Sequence, residues 1–238
     1  MHRAIFGLRA AASSGCRRPA GASLRRAALL SSAMARLDLE ADLKALARRD
    51  RDVARELARI GLPEKRHRPP GFATLLRTIL GQQVSVQAAA SMWRKLDALL
   101  GGAVDPASFS ARGDEEIRAC GFSRQKLLYA RSLADEILSG RLDLARVSRM
   151  RDEAAIEVLT RVKGIGVWSA EIYLLFALRR GDAFPAGDLA LRVGFQRLKR
   201  LPEAPGPAAL REMVEPWRPH RGAAAHLLWH SYANPPLG

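Results

Sequence analysis

The stretch that decides the fold runs from Leu159 to Ala170 and reads LTRVKGIGVWSA. It predicts the end of one helix, a hairpin over residues 161–166 in which Gly164 and Gly166 flank one apolar residue, and a second helix that begins at once. The first amides of that second helix lack partners and lie at the positive end of its dipole, which favours phosphate binding. The alternative is a plain corner between two packed helices, because a G-x-G alone is a weak signal.

The chain around this hairpin is strongly basic. It has 238 residues, 48% of them hydrophobic, and 39 Lys and Arg against 24 Asp and Glu give a net charge of +15. Such an excess favours a polyanion as partner, nucleic acid before an anionic membrane surface. No stretch approaches the roughly eighteen apolar residues of a membrane span. Cys16 and Cys120 are too few for a disulfide scaffold, a four-cysteine zinc site or an iron–sulfur cluster.

The first 37 residues differ in composition from the rest. They contain seven arginines and no acid, so residues 38–238 carry 32 basic against 24 acidic side chains, or +8. Their Ala-, Arg- and Ser-rich composition is typical of a mitochondrial transit peptide. The alternative is that translation starts at Met34 and the preceding residues are a misassigned start. On either interpretation we expect residues 1–37 to be disordered and outside the fold.

The hydrophobic pattern after residue 37 is helical almost throughout, so we predict an all-α fold of about ten short helices. Apolar residues at three-to-four spacing predict one helix over 39–60, which Gly61-Leu62-Pro63 ends. Asp105-Pro106 predicts a helix start, with the acid as N-cap and the proline in the first turn. The other predicted helices span 72–80, 84–100, 114–119, 124–139, 152–161, 167–180, 189–199, 207–214 and 221–232.

Three further motifs accompany the hairpin. Residues 75–85 read LLRTILGQQVS, which predicts a helix, a Gly-Gln turn over residues 81–83 and a second helix. Residues 182–188 read DAFPAGD, a loop whose last acid, Asp188, follows Gly166 by 22 positions. Residues 217–221 read WRPHR (the WRPHR segment), with Trp229 downstream. In this order the motifs resemble the helix-hairpin-helix (HhH-GPD) superfamily of DNA glycosylases, and the WRPHR segment is similar to that of its 3-methyladenine DNA glycosylase II members.

The resemblance covers about residues 70–232 and implies a two-lobed helical fold with DNA in the cleft between the lobes. We expect one lobe over 82–190 and the other from residues 38–81 and 191–238. The implied activity is the first step of base excision repair, in which an alkylated purine such as 3-methyladenine flips out of duplex DNA and its N-glycosidic bond is hydrolysed. The alternatives are a mismatch or deaminated-base glycosylase on the same scaffold, a non-catalytic helix-hairpin-helix DNA-binding protein, and a basic RNA-binding protein.

Asp188 is the catalytic residue that the resemblance implies. It precedes the helix predicted over 189–199, so it is also a candidate N-cap. A helix N-terminus favours the ionised carboxylate, and an ionised carboxylate stabilises the sugar cation that develops as the base departs. Asp182 is the nearest other carboxylate, and we expect it to be a solvated loop acid.

Trp168 stands where the strand-cutting members of the superfamily have a lysine, two residues after the second hairpin glycine. Without that amine no Schiff base forms, so we expect no lyase activity. An indole also stacks well on a positively charged alkylated base, with a cation–π gain of about 0.5–2 kcal/mol. The alternative is a core tryptophan that anchors the hairpin.

The rest of the expected base pocket departs from the family pattern. Ile172 occupies the place of a pocket tyrosine, Tyr173 lies one residue beyond it, and His220 replaces another aromatic residue. The expected pocket, formed by these three residues with Trp168, therefore has fewer aromatic walls, which leaves the range of bases open.

The Gly-Gln turn and the hairpin supply the expected DNA contacts. The resemblance implies that Gln83 fills the space left by the flipped nucleotide, with Gln82 beside it. The alternative is that both glutamines simply cap the helix that ends at Gly81. The hairpin residues expected at the phosphates are Lys163, Gly164, Ile165, Gly166 and Ser169.

No cofactor is expected to be required. We interpret His220, His226 and His230 as surface or interface residues, because no carboxylate joins them at a useful spacing for a metal. The resemblance implies a possible structural Na⁺ or K⁺ held by the backbone carbonyls of Thr160, Val162 and Ile165.

The expected partner is double-stranded DNA that contains damaged bases, with no membrane involved and the protein as a monomer. The expected compartment is the bacterial cytoplasm with its nucleoid. It is the mitochondrion or the nucleus if the source is a eukaryote and the leader is real.

Overall fold

The computed structural model describes residues 35–235. Within that range the chain forms thirteen α-helices and no strand, so the all-α prediction is confirmed. None of these helices is long and apolar enough to cross a membrane. The helices are α1 (Leu39–Ala47), α2 (Arg51–Ile60), α3 (Phe72–Leu80), α4 (Val86–Leu99), α5 (Pro106–Ser110), α6 (Asp114–Ala119), α7 (Arg124–Leu138), α8 (Leu144–Val147), α9 (Asp152–Thr160), α10 (Val167–Phe176), α11 (Leu189–Lys199), α12 (Pro207–Met213) and α13 (Arg221–Ala233), with a 3₁₀ turn at Glu215–Trp217.

The region predicted as one helix over 39–60 contains two, α1 and α2. Asp50 causes the break, because its carboxylate accepts hydrogen bonds from two amides of the first turn of α2 and caps that helix. Lys199 Nζ and Trp217 Nε1 also donate to Asp50 Oδ2, at 2.7 and 2.8 Å. Asp50 therefore joins α2 to the end of α11 and to the WRPHR segment.

The helices pack into two lobes. One contains α1, α2, α11 and α13, in which α13 packs along α11 and against α1 and α2. In the other, α3 packs against α4, α7 and α10, and α5 and α6 pack against α7. The expected assignment of residues 38–81 to the first lobe is therefore wrong for α3. Seven of its residues are buried, and a helix that is apolar on nearly every side must be surrounded by other helices.

The folded region begins before residue 38. The Leu37 amide donates to the Arg179 carbonyl at 2.7 Å, and the Gly181 amide donates to the Ala35 carbonyl at 2.8 Å. The Leu37 side chain is buried. The boundary expected at residue 37 is therefore wrong for residues 35–37, which pair with the loop after α10. Residues 1–34 of the expected leader lie outside the described residues.

Asp182 is a buried ion-pair partner and not the solvated loop acid that the sequence suggested. Its two oxygens accept hydrogen bonds from the Arg221 guanidinium at 2.8 and 2.9 Å, and Oδ2 also accepts one from Arg218 Nη1 at 2.6 Å. Only 3% of the Asp182 side chain is exposed, so its charge needs these partners. The contacts hold the WRPHR segment against the start of the loop that leads to Asp188.

Asp152, near this cluster, makes folding stability depend on pH. Burial raises its pKa from 3.8 to about 6, and the charge of Arg180 opposes the shift. The Arg180 Nε atom lies 3.7 Å from Asp152 Oδ1. Because the folded state holds the Asp152 proton more tightly than the unfolded state does, this group stabilises the fold less as the pH rises through about 6.

We therefore expect the stability of Asp152→Asn relative to the parent to depend on pH. The free energy of unfolding of the variant minus that of the parent should be about 2 kcal/mol higher at about pH 8 than at about pH 4, which means a relatively more stable variant at high pH, after allowance for solvent screening. Denaturant unfolding of both proteins at the two pH values measures this. Parallel stability curves for the two proteins would contradict the shift.

Candidate active site

A cleft of about 990 Å³ lies between the two lobes. One wall comes from the Gly-Gln turn and the start of α10, and the other from the start of α11 and the end of α13. The Gly-Gln turn, the hairpin and the loop that ends in Asp188 thus meet at one place. The WRPHR segment lies elsewhere and supports this arrangement through Asp50 and Asp182. The side chains on the cleft include Gln82, Gln83, Trp168, Asp188 and Tyr232.

Asp188 borders this cleft and is half-buried. It caps α11 as predicted, because Oδ1 accepts hydrogen bonds from the amides of Ala190 and Leu191 at 2.9 and 3.1 Å. Within the described residues, two indoles are the other hydrogen-bond donors to this carboxylate. Trp229 Nε1 donates to Oδ1 and Trp168 Nε1 donates to Oδ2, both at 3.1 Å. The carboxylate is thus fixed in orientation while it still faces the cleft.

Trp168 lies on the cleft wall and is half-buried, so the alternative of a core tryptophan is wrong. It lines the cleft, and its expected role as a wall of the base pocket stays a prediction. The hydrogen bond from its indole to Asp188 was not predicted. The same side chain therefore positions the candidate catalytic acid and forms part of the pocket around it.

This arrangement predicts unequal roles for the two indoles. Oδ2 of Asp188 accepts one hydrogen bond in the described part of the chain, from Trp168, whereas Oδ1 keeps two amide donors when Trp229 is changed. We expect Trp168→Phe, which keeps an aromatic ring, to slow the reaction at this site about tenfold, and Trp229→Phe to slow it less. Single-turnover rates of both variants measure the difference, and a larger loss for Trp229→Phe would contradict this account.

Two of the residues expected in the base pocket lie elsewhere. Tyr173 is fully buried, and its hydroxyl accepts a hydrogen bond from the Gly71 amide at 3.0 Å. Burial raises the pKa of Tyr173. His220 Nδ1 lies 2.7 Å from Asp42 Oδ1 of α1. The predictions for Tyr173 and His220 are therefore wrong, because tertiary packing turns both side chains away from the cleft.

The residues that border the cleft differ from the expected set in other ways. Ile172 is half-buried and is not among them. Tyr232, 41% exposed, and Leu189, 62% exposed, do border it, although the sequence interpretation gave them no role. A signal for Tyr232 was present, since its three-residue spacing from Trp229 on α13 puts both aromatic residues on one face of that helix.

The histidines of α13 are structural. His226 is 3% exposed, and its Nδ1 lies 2.9 Å from the Gly222 carbonyl, so the expected surface position is wrong. Burial lowers the pKa of His226. His230 Nε2 lies 3.0 Å from the Ile60 carbonyl. Across residues 35–235 no group of His, Cys, Asp and Glu side chains is arranged to hold a metal ion.

The Gly-Gln turn is tied to the hairpin by Gln82. Its Nε2 donates to the Gly164 carbonyl at 2.9 Å and to Ser169 Oγ at 3.2 Å. Lys126 Nζ donates to the carbonyls of Leu80 and Gln82 and holds the turn from the other side. Ser169 is 3% exposed, so its hydroxyl serves this link. Gln83, by contrast, is exposed at the cleft with φ of 55°, a position that suits the expected plug.

The hairpin has the geometry that its glycines predict. Gly164 has φ of 91°, and a Cβ built on it would lie 2.1 Å from Tyr129 Cγ. Gly166 begins α10 without a side-chain cap, so the first amides of that helix remain available to an anion. Lys163 is exposed beside them. The side chain of Ile165 is buried, and its amide donates to the Val162 carbonyl, so this residue supports the hairpin from within.

Comparison with known proteins identifies the family. The HhH-GPD superfamily base excision DNA repair protein family matches residues 76–219. DNA-3-methyladenine glycosylase 1 of Schizosaccharomyces pombe is 36% identical over 161 residues, which are 66% of this chain and 71% of that protein. DNA-3-methyladenine glycosylase of Saccharomyces cerevisiae is 38% identical over 140 residues, which are 53% of this chain and 46% of that protein.

Similarity to solved structures agrees with the family match. The structure of S. pombe 3-methyladenine DNA glycosylase (Mag1) in complex with abasic DNA aligns with a TM-score of 0.74 and 31% identity, and the alignment covers 83% of this chain and 97% of that chain. The lobes, the hairpin and the acid at the cleft are thus accompanied by a family match over more than half of the chain. The protein belongs to the HhH-GPD superfamily of base excision DNA repair proteins.

Proposed function

We propose that this protein is a monofunctional DNA glycosylase that excises alkylated purines, 3-methyladenine first, from duplex DNA. The observation that carries the proposal is the carboxylate of Asp188, which two indoles and two amides fix at the cleft between the lobes. The names of the relatives support the substrate class, and the complex of S. pombe Mag1 with abasic DNA supports duplex DNA as the partner.

The proposed reaction is hydrolysis of the bond between the sugar C1′ and the base. An alkylated purine is already cationic, so it leaves with the bonding electron pair without a strong general acid. Positive charge then develops on the sugar, and the Asp188 carboxylate stabilises it, as carboxylates do in glycoside hydrolysis. Water attacks C1′, loses a proton and leaves an abasic site in the DNA.

Trp168 and Gln83 have distinct roles in this proposal. Because Trp168 occupies the place of the lysine of strand-cutting relatives, no Schiff base forms and the strand stays intact. The Trp168 ring contacts the flipped base on the cleft wall, and the indole N–H holds Asp188. Gln83, exposed at the edge of the same cleft, fills the space that the flipped nucleotide leaves.

The test is incubation of the purified protein with methylated duplex DNA, followed by chromatography of the released bases. We expect 3-methyladenine to be released and the strand to break only after alkali is added. Strand cleavage without alkali would contradict the monofunctional mechanism. Release of deaminated or mismatched bases in place of methylated ones would favour the alternative glycosylase, and release of no base would favour a DNA-binding protein without activity.

We also propose that the carbonyls of Thr160, Val162 and Ile165 hold a Na⁺ or K⁺ at the hairpin. Neutral carbonyl oxygens suit a hard cation of low charge, and the Val162 carbonyl, which accepts the Ile165 amide at 3.0 Å, keeps a second lone pair. No other cofactor is proposed. Replacing Na⁺ and K⁺ with tetramethylammonium at constant ionic strength should weaken binding to abasic duplex DNA about tenfold. Equal affinity in both salts would contradict the proposal.

The function sets where the protein works. It requires access to chromosomal DNA, and we propose that the protein acts as a monomer in the bacterial nucleoid. The net charge of +15 favours DNA as the partner, although contacts with phosphates rather than net charge determine the affinity for DNA.

A further inference from the structure

We propose that a second cavity, beside the cleft, is a binding site for one backbone phosphate of the DNA next to Gln83. This cavity has a volume of about 250 Å³, and Arg68, Arg77 and Trp93 line it (the Arg77 pocket). It shares Gly81, Val84 and Ser85 with the cleft. The proposal rests on the proposed function insofar as DNA must occupy the cleft.

In the described part of the chain, the Arg77 side chain is held in place by the Trp93 ring and not by an ion pair or a hydrogen bond. Its guanidinium carbon lies 3.6 Å from the centroid of the Trp93 ring, so the group is stacked flat on the indole. Stacking leaves the N–H donors at the edge of the guanidinium free. Within residues 35–235, the guanidinium groups of Arg68 and Arg77 form no ion pair or hydrogen bond with the protein. A planar guanidinium prepared in this way matches the paired oxygens of a phosphodiester.

The charges in the Arg77 pocket favour an anion. Burial lowers the pKa of Arg77, the charge of Arg68 lowers it further, and Asp97 acts in the opposite direction. Two positive groups that share a partly buried cavity repel each other, and an anion between them relieves the repulsion. The N-terminal turn of α4, with its positive dipole end, lines the same cavity through Ser85 and Val86.

The position of the Arg77 pocket identifies the anion. Gln83 lies in the chain between Gly81 and Val84, which line both cavities. A phosphate in the pocket is therefore close to the nucleotide that Gln83 touches. Val84 and Val86 are 38% and 87% exposed at this edge, where apolar side chains suit contact with a sugar. The phosphate belongs either to the damaged strand or to its partner strand, and experiment distinguishes the two.

The first test compares Arg77→Gln and Arg68→Gln with a matched control, Arg149→Gln. Arg149 is exposed and lines neither cavity, so the control removes the same charge elsewhere. Binding is measured on a duplex with an abasic-site analogue and on the intact duplex. We expect each pocket variant to bind the abasic duplex about tenfold more weakly and its log–log salt slope to fall by about 0.9, with smaller changes in the control.

Thermal unfolding of each variant checks that the fold is retained. Arg68 lies in the connection between α2 and α3 and stacks on no aromatic ring of residues 35–235, so its variant tests the site even if Arg77→Gln is unstable. Unchanged affinity in both pocket variants would overturn the phosphate site. If instead the parent binds abasic duplex no more tightly than intact duplex, the proposed function fails. This outcome is distinct from failure of the phosphate site, because it concerns the parent protein and not the variants.

The second test replaces one phosphate at a time, in either strand, with an uncharged methylphosphonate. We expect one position near the abasic site at which the parent loses about tenfold in affinity and Arg77→Gln loses nothing further. The strand that carries this position identifies the source of the phosphate. Losses that add to the Arg77→Gln effect at every position would overturn the assignment, because Arg77 would then act through the fold or the general charge.

Discussion

Asp188→Asn should release 3-methyladenine about 10³-fold more slowly than the parent protein while it folds and binds abasic DNA normally. Asparagine has nearly the same shape and keeps an oxygen that caps α11, so the amides of Ala190 and Leu191 retain an acceptor. The variant lacks the negative charge that stabilises the sugar cation. Single-turnover excision from methylated duplex DNA measures the loss, which corresponds to about 4 kcal/mol of activation free energy.

Asp105→Asn is the matched control. Asp105 caps α5 with the same geometry as Asp188, because its Oδ1 accepts the amides of Ala107 and Ser108 at 2.8 and 2.9 Å, but it does not border the cleft. Its change to asparagine should leave excision at the parent rate. Excision by Asp188→Asn as fast as by the parent would remove the carboxylate from the mechanism.

Gly164→Ala should destabilise the protein by about 3 kcal/mol and lower its melting temperature by roughly 10 °C. A Cβ at this position would lie 2.1 Å from Tyr129 Cγ and 2.5 Å from Tyr129 Cβ, atoms near the backbone of α7 that cannot move aside cheaply. The φ of 91° adds strain for any residue with a side chain. Because the hairpin loses its packing on α7, DNA binding should fall as well.

Gly166→Ala separates packing from phosphate binding. Gly166 has φ of −90°, and a Cβ there meets no atom within 4 Å. The melting temperature of the Gly166→Ala variant should therefore stay close to that of the parent, whereas affinity for abasic DNA should fall because the added methyl group stands where a phosphate approaches the first amides of α10.

For Gly164→Ala, a melting temperature equal to that of the parent would show that the close approach to Tyr129 is not required.

Much of the fold was predictable because it depends on neighbouring residues. The helices α5 and α11 start directly after Asp105 and Asp188, as the sequence suggested, since capping involves groups only a few positions apart. The break between α1 and α2 was missed because the apolar spacing continues nearly in phase across it. Asp50 caps α2 and so marks the position of the break. Its hydrogen bonds with Lys199 and Trp217 connect residues that are far apart in the sequence.

In the candidate site, too, some features could be predicted from the sequence and others depend on tertiary packing. The hairpin and the acid that caps α11 could be predicted from residue type and short spacing. That Trp168 takes the place of a lysine followed from the resemblance to the family. Tertiary structure alone decided that Trp168 and Trp229 both bind Asp188, and that Tyr173 turns into the core. It also decided that Asp182 pairs with arginines of the WRPHR segment. These contacts join residues of different elements, and only the packing of one helix against another determines which face of each helix borders the cleft.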